Sequence, residues 1–196
     1  RKEVYGTTGT RLRVRVFGGY GFTAADLDRS DFAAHGYAKG VPMGGDLRGA
    51  PTGETPGFLI RALRDPDGAN LDRIQVVKGW IDGSGKAREK VYDVAWGDSE
   101  KRRPGADGKL PPVGSTVNEK EASYSNSIGD PFLQTFWKDP DFDPARRAFY
   151  YVRVLEIPTP RWLAYDAKFY KLNLPETARL SSQERAYTSP IWYSPS

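Results

Sequence analysis

The sequence has no cysteine, a single histidine and a single methionine among 196 residues, and only 38% of it is hydrophobic. Without cysteine there is no disulfide framework, no thiolate metal centre and no cysteine nucleophile. One histidine, His35, cannot furnish a histidine-rich zinc site, and any Ser-His-Asp triad would have to use it. A lone histidine near the end of a short helical segment reads first as a packing or helix-end residue. No apolar run approaches the length of a membrane span. Charge of one sign is also lacking: 29 Lys and Arg stand against 25 Asp and Glu, for a formal net charge of +4, with both signs mixed along the chain. Nucleic acid binding would call for a clustered basic face. The lack of cysteine fits a periplasmic or a cytoplasmic setting equally.

What is abundant points to β structure. There are 21 Gly and 15 Pro, together with 5 Trp, 11 Tyr and 9 Phe. Many short strands separated by glycine and proline turns is the natural reading. Residues 11–17 alternate strictly, with Leu12, Val14 and Val16 on one face and Arg11, Arg13 and Arg15 on the other, the period of a half-buried strand. The arginine row reads as a solvated face, or as one that meets an anion or a partner domain. Thr23 with Asp26 three residues on marks a helix start, and short helices are expected to about Tyr37. A strand or extended loop follows at 41–47. Further strands are expected at 58–64, 73–82, 89–96, 148–157 and 188–193, with 73–82 and 89–96 paired as a hairpin. Residues 131–137 carry Phe132, Leu133, Phe136 and Trp137 as a further apolar segment. Residues 98–116 form the longest expected loop, with Lys101, Arg102 and Arg103 at a solvated tip. Pro158-Thr-Pro160 is expected to stop the strand before it, and a short helix to occupy 161–172. The fold class expected is mainly β: one two-layer antiparallel sandwich of immunoglobulin-like type over residues 1–196, with a few short helices.

Several constellations invite a chemical reading. Asp65, Asp67, Asn70 and Asp72 surround Gly68 and offer clustered oxygens to calcium, but their spacing is not that of an EF-hand, and the same residues make ordinary turns. Asp139, Asp141 and Asp143 alternate and put three carboxylates on one side if extended; Asp-Pro pairs also mark plain connections. No spacing singles out two carboxylates for glycoside hydrolysis. Five tryptophans on a β scaffold could stack on sugars, although Trp80 and Trp96 are expected mostly in the core. Tyr5-Gly-Thr-Thr-Gly-Thr-Arg11 is a turn whose backbone N–H groups could hold an anion, and it is not a P-loop.

Longer stretches carry a resemblance. Arg1-Lys-Glu-Val-Tyr-Gly-Thr-Thr-Gly-Thr-Arg11 resembles the segment after the catalytic barrel in PHP-type metallohydrolases. Gly40-Val-Pro-Met-Gly-Gly-Asp-Leu47, Glu54-Thr-Pro-Gly-Phe-Leu-Ile-Arg61, Arg73-Ile-Gln-Val-Val-Lys-Gly-Trp80 and Asp130-Pro-Phe-Leu-Gln134 are similar to a bacterial branch of that superfamily, the domain-of-unknown-function 3604 family. So are Tyr150-Tyr-Val-Arg-Val-Leu-Glu-Ile-Pro-Thr-Pro-Arg-Trp162 and Arg185-Ala-Tyr-Thr-Ser-Pro-Ile-Trp192.

The resemblance implies a metal-dependent hydrolase of phosphoryl or related esters whose histidine and aspartate ligands lie in an N-terminal domain. It carries no catalytic residue and no metal ligand onto this sequence. The expectation is an accessory C-terminal β-sandwich without activity of its own, the alternative an independent carbohydrate-binding module. The opening Arg1-Lys2-Glu3-Val4-Tyr5, which reads as though it starts inside an element, agrees with a piece of a longer protein. On this reading the chain holds no cofactor, and a divalent metal belongs to the N-terminal catalytic domain. That domain is the expected partner, neither nucleic acid nor membrane is expected, and self-association is left open. Thr8, Arg11 and Asp46 are the substrate-contact candidates, against a plain role in turns and interfaces.

Overall fold

A computed structural model describes residues 2–196; Arg1, and with it the start of the opening motif, lies outside the described residues. The alternation at residues 11–17 sets the layers. In β2 (Arg13–Gly19), Val14 and Val16 are buried while Arg13 and Arg15 face solvent, and the preceding Leu12 and Arg11 follow the same rule. β2 pairs antiparallel with β3 (Val41–Pro42) on one side and with β5 (Gly57–Leu63) on the other, and β5 pairs in turn with β8 (Phe132–Lys138). These four strands make the smaller sheet.

The larger sheet is built around β9 (Ala148–Pro160). Along one edge β9 takes β6 (Leu71–Ile81), which forms the expected hairpin with β7 (Ala87–Trp96). Its other edge is shared between β10 (Ser181–Thr188) and β11 (Ile191–Ser194), which in turn pair with β1 (Tyr5–Thr7) and β4 (Asp46–Arg48). Burial drives the assembly. Leu12, Val14, Val16, Phe58, Ile60 and Leu133 meet Ile74, Val76, Tyr150, Val152, Val154 and Ile191 in one apolar core between the sheets. A second cluster, Phe17, Phe22, Phe32 and Leu59, lies on the outer face of the smaller sheet under a 3₁₀ turn at Ala24–Asp28 and α1 (Phe32–Lys39). α1 comes close enough for this because residue 36 is glycine: a Cβ there would fall 2.3 Å from the Phe17 ring. The fold is a mainly β, two-layer sandwich.

Five expectations need correcting. The pairing is not wholly antiparallel, because β11 runs parallel to β4. Pro158 and Pro160 do not stop β9. Its pairing with β6 has ended at Glu156, so beyond that point β9 has only β10 as a neighbour, and an edge strand tolerates a missing N–H. The terminal strand expected at 188–193 is two strands broken at Ser189-Pro190, and polar β10 had no alternation to announce it. His35 lies within α1 rather than near its end, with Nε2 2.7 Å from Asp26 Oδ1. Finally, Arg102 is no solvated tip. It is buried, with Nη2 2.8 Å from Asp72 Oδ1 and also donating to the carbonyl of Pro111, and so anchors the long loop to β6. Thr23 does start the 3₁₀ turn as expected, its N–H donating to Asp26 Oδ2 at 2.8 Å. Among the described residues no helix is long and apolar enough to cross a membrane.

Candidate functional site

α2 (Trp162–Tyr170) follows directly on β9 and is the least typical element of the fold. Its inward side is set by Leu163, Ala164 and Ala167, of which Ala164 is fully buried. At 100° per residue the opposite side carries Trp162, Tyr165 and Phe169, continued by Leu172 just past the helix. These four are 65%, 49%, 79% and 46% exposed. α2 thus carries apolar side chains on its exposed side as well as on its anchored side. Lys168 flanks the stripe and ties it to the connection between β7 and β8, with Nζ 3.0 Å from both the Glu121 carbonyl and carboxylate.

The N-terminal end of α2 borders an open cleft of about 590 Å3 between Trp162, Arg161 and the outer edge of β10. Thr8 lines it, with Glu184, Arg185 and Tyr187. Thr8 is held by β10 on two sides: its N–H donates to the Arg185 carbonyl at 3.0 Å, and its Oγ1 accepts the Arg185 N–H at 2.9 Å while donating to the Glu184 carboxylate. Of the backbone N–H groups that the Tyr5–Arg11 turn could offer an anion, that of Thr8 is thus consumed by pairing with β10.

Arg11 and Asp46 do not line this cleft. Arg11 grips the turn after β5. Its backbone N–H lies 2.8 Å from Asp65 Oδ2, its Nε 3.1 Å from the same oxygen, and its Nη2 2.6 Å from Asp67. Those bonds hold the Asp65 carboxyl below its ordinary range, the Arg11 backbone N–H first and its guanidinium second. Asp46, on β4, faces Lys2 Nζ at 3.6 Å. The three candidates therefore stand with three different sets of partners.

The acidic segments divide in the same way. Asp65 and Asp67 belong to Arg11, Asp72 to Arg73 and Arg102, and Asn70 spends its amide on the carbonyls of Asn126, Ile128 and Gly129. In the second segment Asp139 is buried against Lys78 Nζ and the Tyr150 hydroxyl at 2.6 and 2.7 Å. Asp141 takes Lys90 and Tyr92, and Asp143 takes Arg146. Burial first, and then the Asp139 and Asp141 carboxylates, push the Tyr150 and Tyr92 hydroxyls far above the ordinary tyrosine range. Among the described residues no three carboxylates or imidazoles converge as a metal cage. Sequence reasoning missed Lys78 and Tyr150 here: a lysine in an apolar strand is a visible anomaly, but its partner lies 61 residues away.

The tryptophans separate into two groups. Trp80 and Trp137 pack against the core, and Trp96 is half-buried with its indole N–H donating to the Arg102 carbonyl at 2.8 Å. Trp162 and Trp192 are exposed.

Two sheets closed over one core, with a helix whose aromatic residues are exposed, define a mainly β sandwich. The chain matches the family described as "Protein of unknown function (DUF3604)" over residues 1–195 and belongs to that family. No curated protein and no solved structure matches it.

Proposed function

We propose that this chain is an accessory β-sandwich domain of a PHP-like metal-dependent hydrolase of phosphoryl or related esters, inactive by itself, that packs against the catalytic domain through α2. The observation that carries the reading is the outward stripe of Trp162, Tyr165, Phe169 and Leu172, directly opposite the side by which the helix is already anchored. The buried ionic groups support it, since Lys78, Asp139, Asp72 and Arg102 are spent on one another and on loop carbonyls. In the catalytic domain a divalent metal would activate water and offset developing oxyanion charge. The Thr8 cleft borders α2 and would lie at the rim of the interface, which keeps Thr8 as the first substrate-contact candidate. Arg11 and Asp46 are weaker proposals, because they lie away from that cleft.

The test compares the intact gene product with this chain alone on p-nitrophenyl phosphate with added Mn2+. Turnover by the intact protein only, together with faster proteolytic release of the sandwich in a Trp162→Ser/Phe169→Ser variant, is the expected result. Metal-dependent turnover by this chain alone, or a release rate untouched by the double substitution, would overturn the reading. The carbohydrate-binding reading draws on a different surface, the outer face of the larger sheet.

A further inference from the structure

The outer face of the larger sheet carries aromatic rings where a solvated sheet normally carries polar side chains. Alternation puts Phe149 and Tyr151 of β9 on this face, opposite Gly79 and Val77 of β6. Trp192 of β11 pairs with Phe149, and Tyr187 of β10, whose cross-strand partner is Arg153, lies diagonally from Tyr151, which makes a continuous row. Ring centres along it, from Trp192 through Phe149 and Tyr151 to Tyr187, are 5.3, 6.5 and 6.3 Å apart.

The two central rings lie down across β6. A Cβ on Gly79 would fall 2.2 Å from the Phe149 ring, so the far end of that ring rests on bare backbone. Val77 is fully buried although it belongs to the outer face, and its cross-strand partner is Tyr151. Phe149 and Tyr151 are parallel to within 14°. Two side-by-side rings, each with one face on the sheet, turn their other faces outward as a flat tile. Trp192 and Tyr187, 46% and 38% exposed, bound it on one flank.

The polar groups around the tile are of both signs. Next to Trp192 and Phe149 a groove of about 580 Å3 is edged by Glu89 and Arg147. At the other end Arg153 donates Nε–H to Gln75 Oε1 at 2.7 Å, and Gln75 donates to Asp93 at 2.8 Å. Carboxylates beside arginines suit a ligand whose groups both donate and accept, as hydroxyls do. They are ill-suited to a polyphosphate chain, which wants a clustered basic face.

We infer that this face is a binding site for an oligosaccharide, whose pyranose rings stack on Phe149, Tyr151 and Trp192 while the flanking Arg153, Glu89 and Arg147 take its hydroxyls. The stacking residues Phe149, Tyr151 and Trp192 do not line the cleft beside α2, although Tyr187 at the end of the row does, and the inference does not depend on the docking reading. It is tested by native gel electrophoresis of the intact protein through soluble laminarin, xylan, galactomannan and alginate, with poly(U) as the competing polyanion. Retardation by at least one polysaccharide is expected. Trp192→Ala and Tyr151→Ala, each checked for an unchanged circular dichroism spectrum, should weaken that retardation about tenfold, the loss of one stacked ring. Migration unaffected by all four polysaccharides, retardation by poly(U) alone, or retardation that survives both substitutions would overturn the assignment. If Tyr151→Ala fails to fold, the exposed Trp192→Ala decides.

Discussion

Lys78 Nζ lies 2.6 Å from Asp139 Oδ2, with both side chains buried, and its second hydrogen bond goes to the Asp141 carbonyl at 2.7 Å. This pair fastens the 139–147 connection to the inner face of β6. Truncating one partner leaves a buried charge without its counterion. Lys78→Met should therefore cost about 3–5 kcal/mol in urea unfolding, whereas Lys78→Met combined with Asp139→Leu should recover a good part of the loss. A double-variant loss equal to the sum of the Lys78→Met and Asp139→Leu losses would show that the pair is not coupled.

Glu156 introduces a pH dependence of known sign. It is buried in β9, and burial first, with the Glu184 and Asp65 charges behind it, raises its carboxyl from 4.5 to about 7. The folded state then binds a proton that the unfolded chain releases at lower pH. Stability is full below about pH 4.5 with respect to this group, and falls as pH rises through about 7, by an order of 3 kcal/mol. Thermal unfolding from pH 5 to 8 should show the decline in the wild type and a flatter profile in Glu156→Gln.

Gly36 in α1 sets two tendencies against each other. Alanine is the better helix former by about 1 kcal/mol, but its Cβ would fall 2.3 Å from the Phe17 ring. The clash is with a packed aromatic ring and should win, so Gly36→Ala is expected to lower stability by about 1–3 kcal/mol. A stabilised variant would mean that α1 rides more loosely on the smaller sheet than its packing implies.

The α2 stripe makes the opposite prediction. Trp162 and Phe169 touch little within the chain, so Trp162→Ser and Phe169→Ser should each shift the stability of the isolated chain by no more than about 0.5 kcal/mol. The same changes should raise its solubility by removing an exposed apolar patch. A large loss of stability in denaturant would place these rings in the fold rather than on a docking surface.

Calcium should leave the sandwich indifferent. Asp65, Asp67 and Asp72 each answer to an arginine, so EDTA and excess Ca2+ are expected to give the same thermal midpoint. A calcium-dependent rise in Tm would require the Arg11 grip on Asp65 and Asp67 to open.

The sequence by itself determined the class of fold and most of its strands. Period-two alternation in Leu12–Val16 and the concentration of β-branched and aromatic residues in 149–157 are local signals that burial on one face writes directly into the chain. The family was legible as well, in stretches spread from one end to the other. Tertiary structure alone decided the rest. Polar β10 exists because β9 and β1 offer it hydrogen-bonding edges, and β9 runs through Pro158 and Pro160 because β6 has ended there. The acidic clusters looked like ligand sets along the chain and were separated by partners as distant as Arg11, Arg102 and Lys78. The aromatic composition was plain, but not which rings face outward. That depended on strand register, which laid Phe149 on Gly79, and on the one side by which α2 meets the sandwich. Both are long-range choices, set by what packs against what, and spacing along the chain carries no record of them.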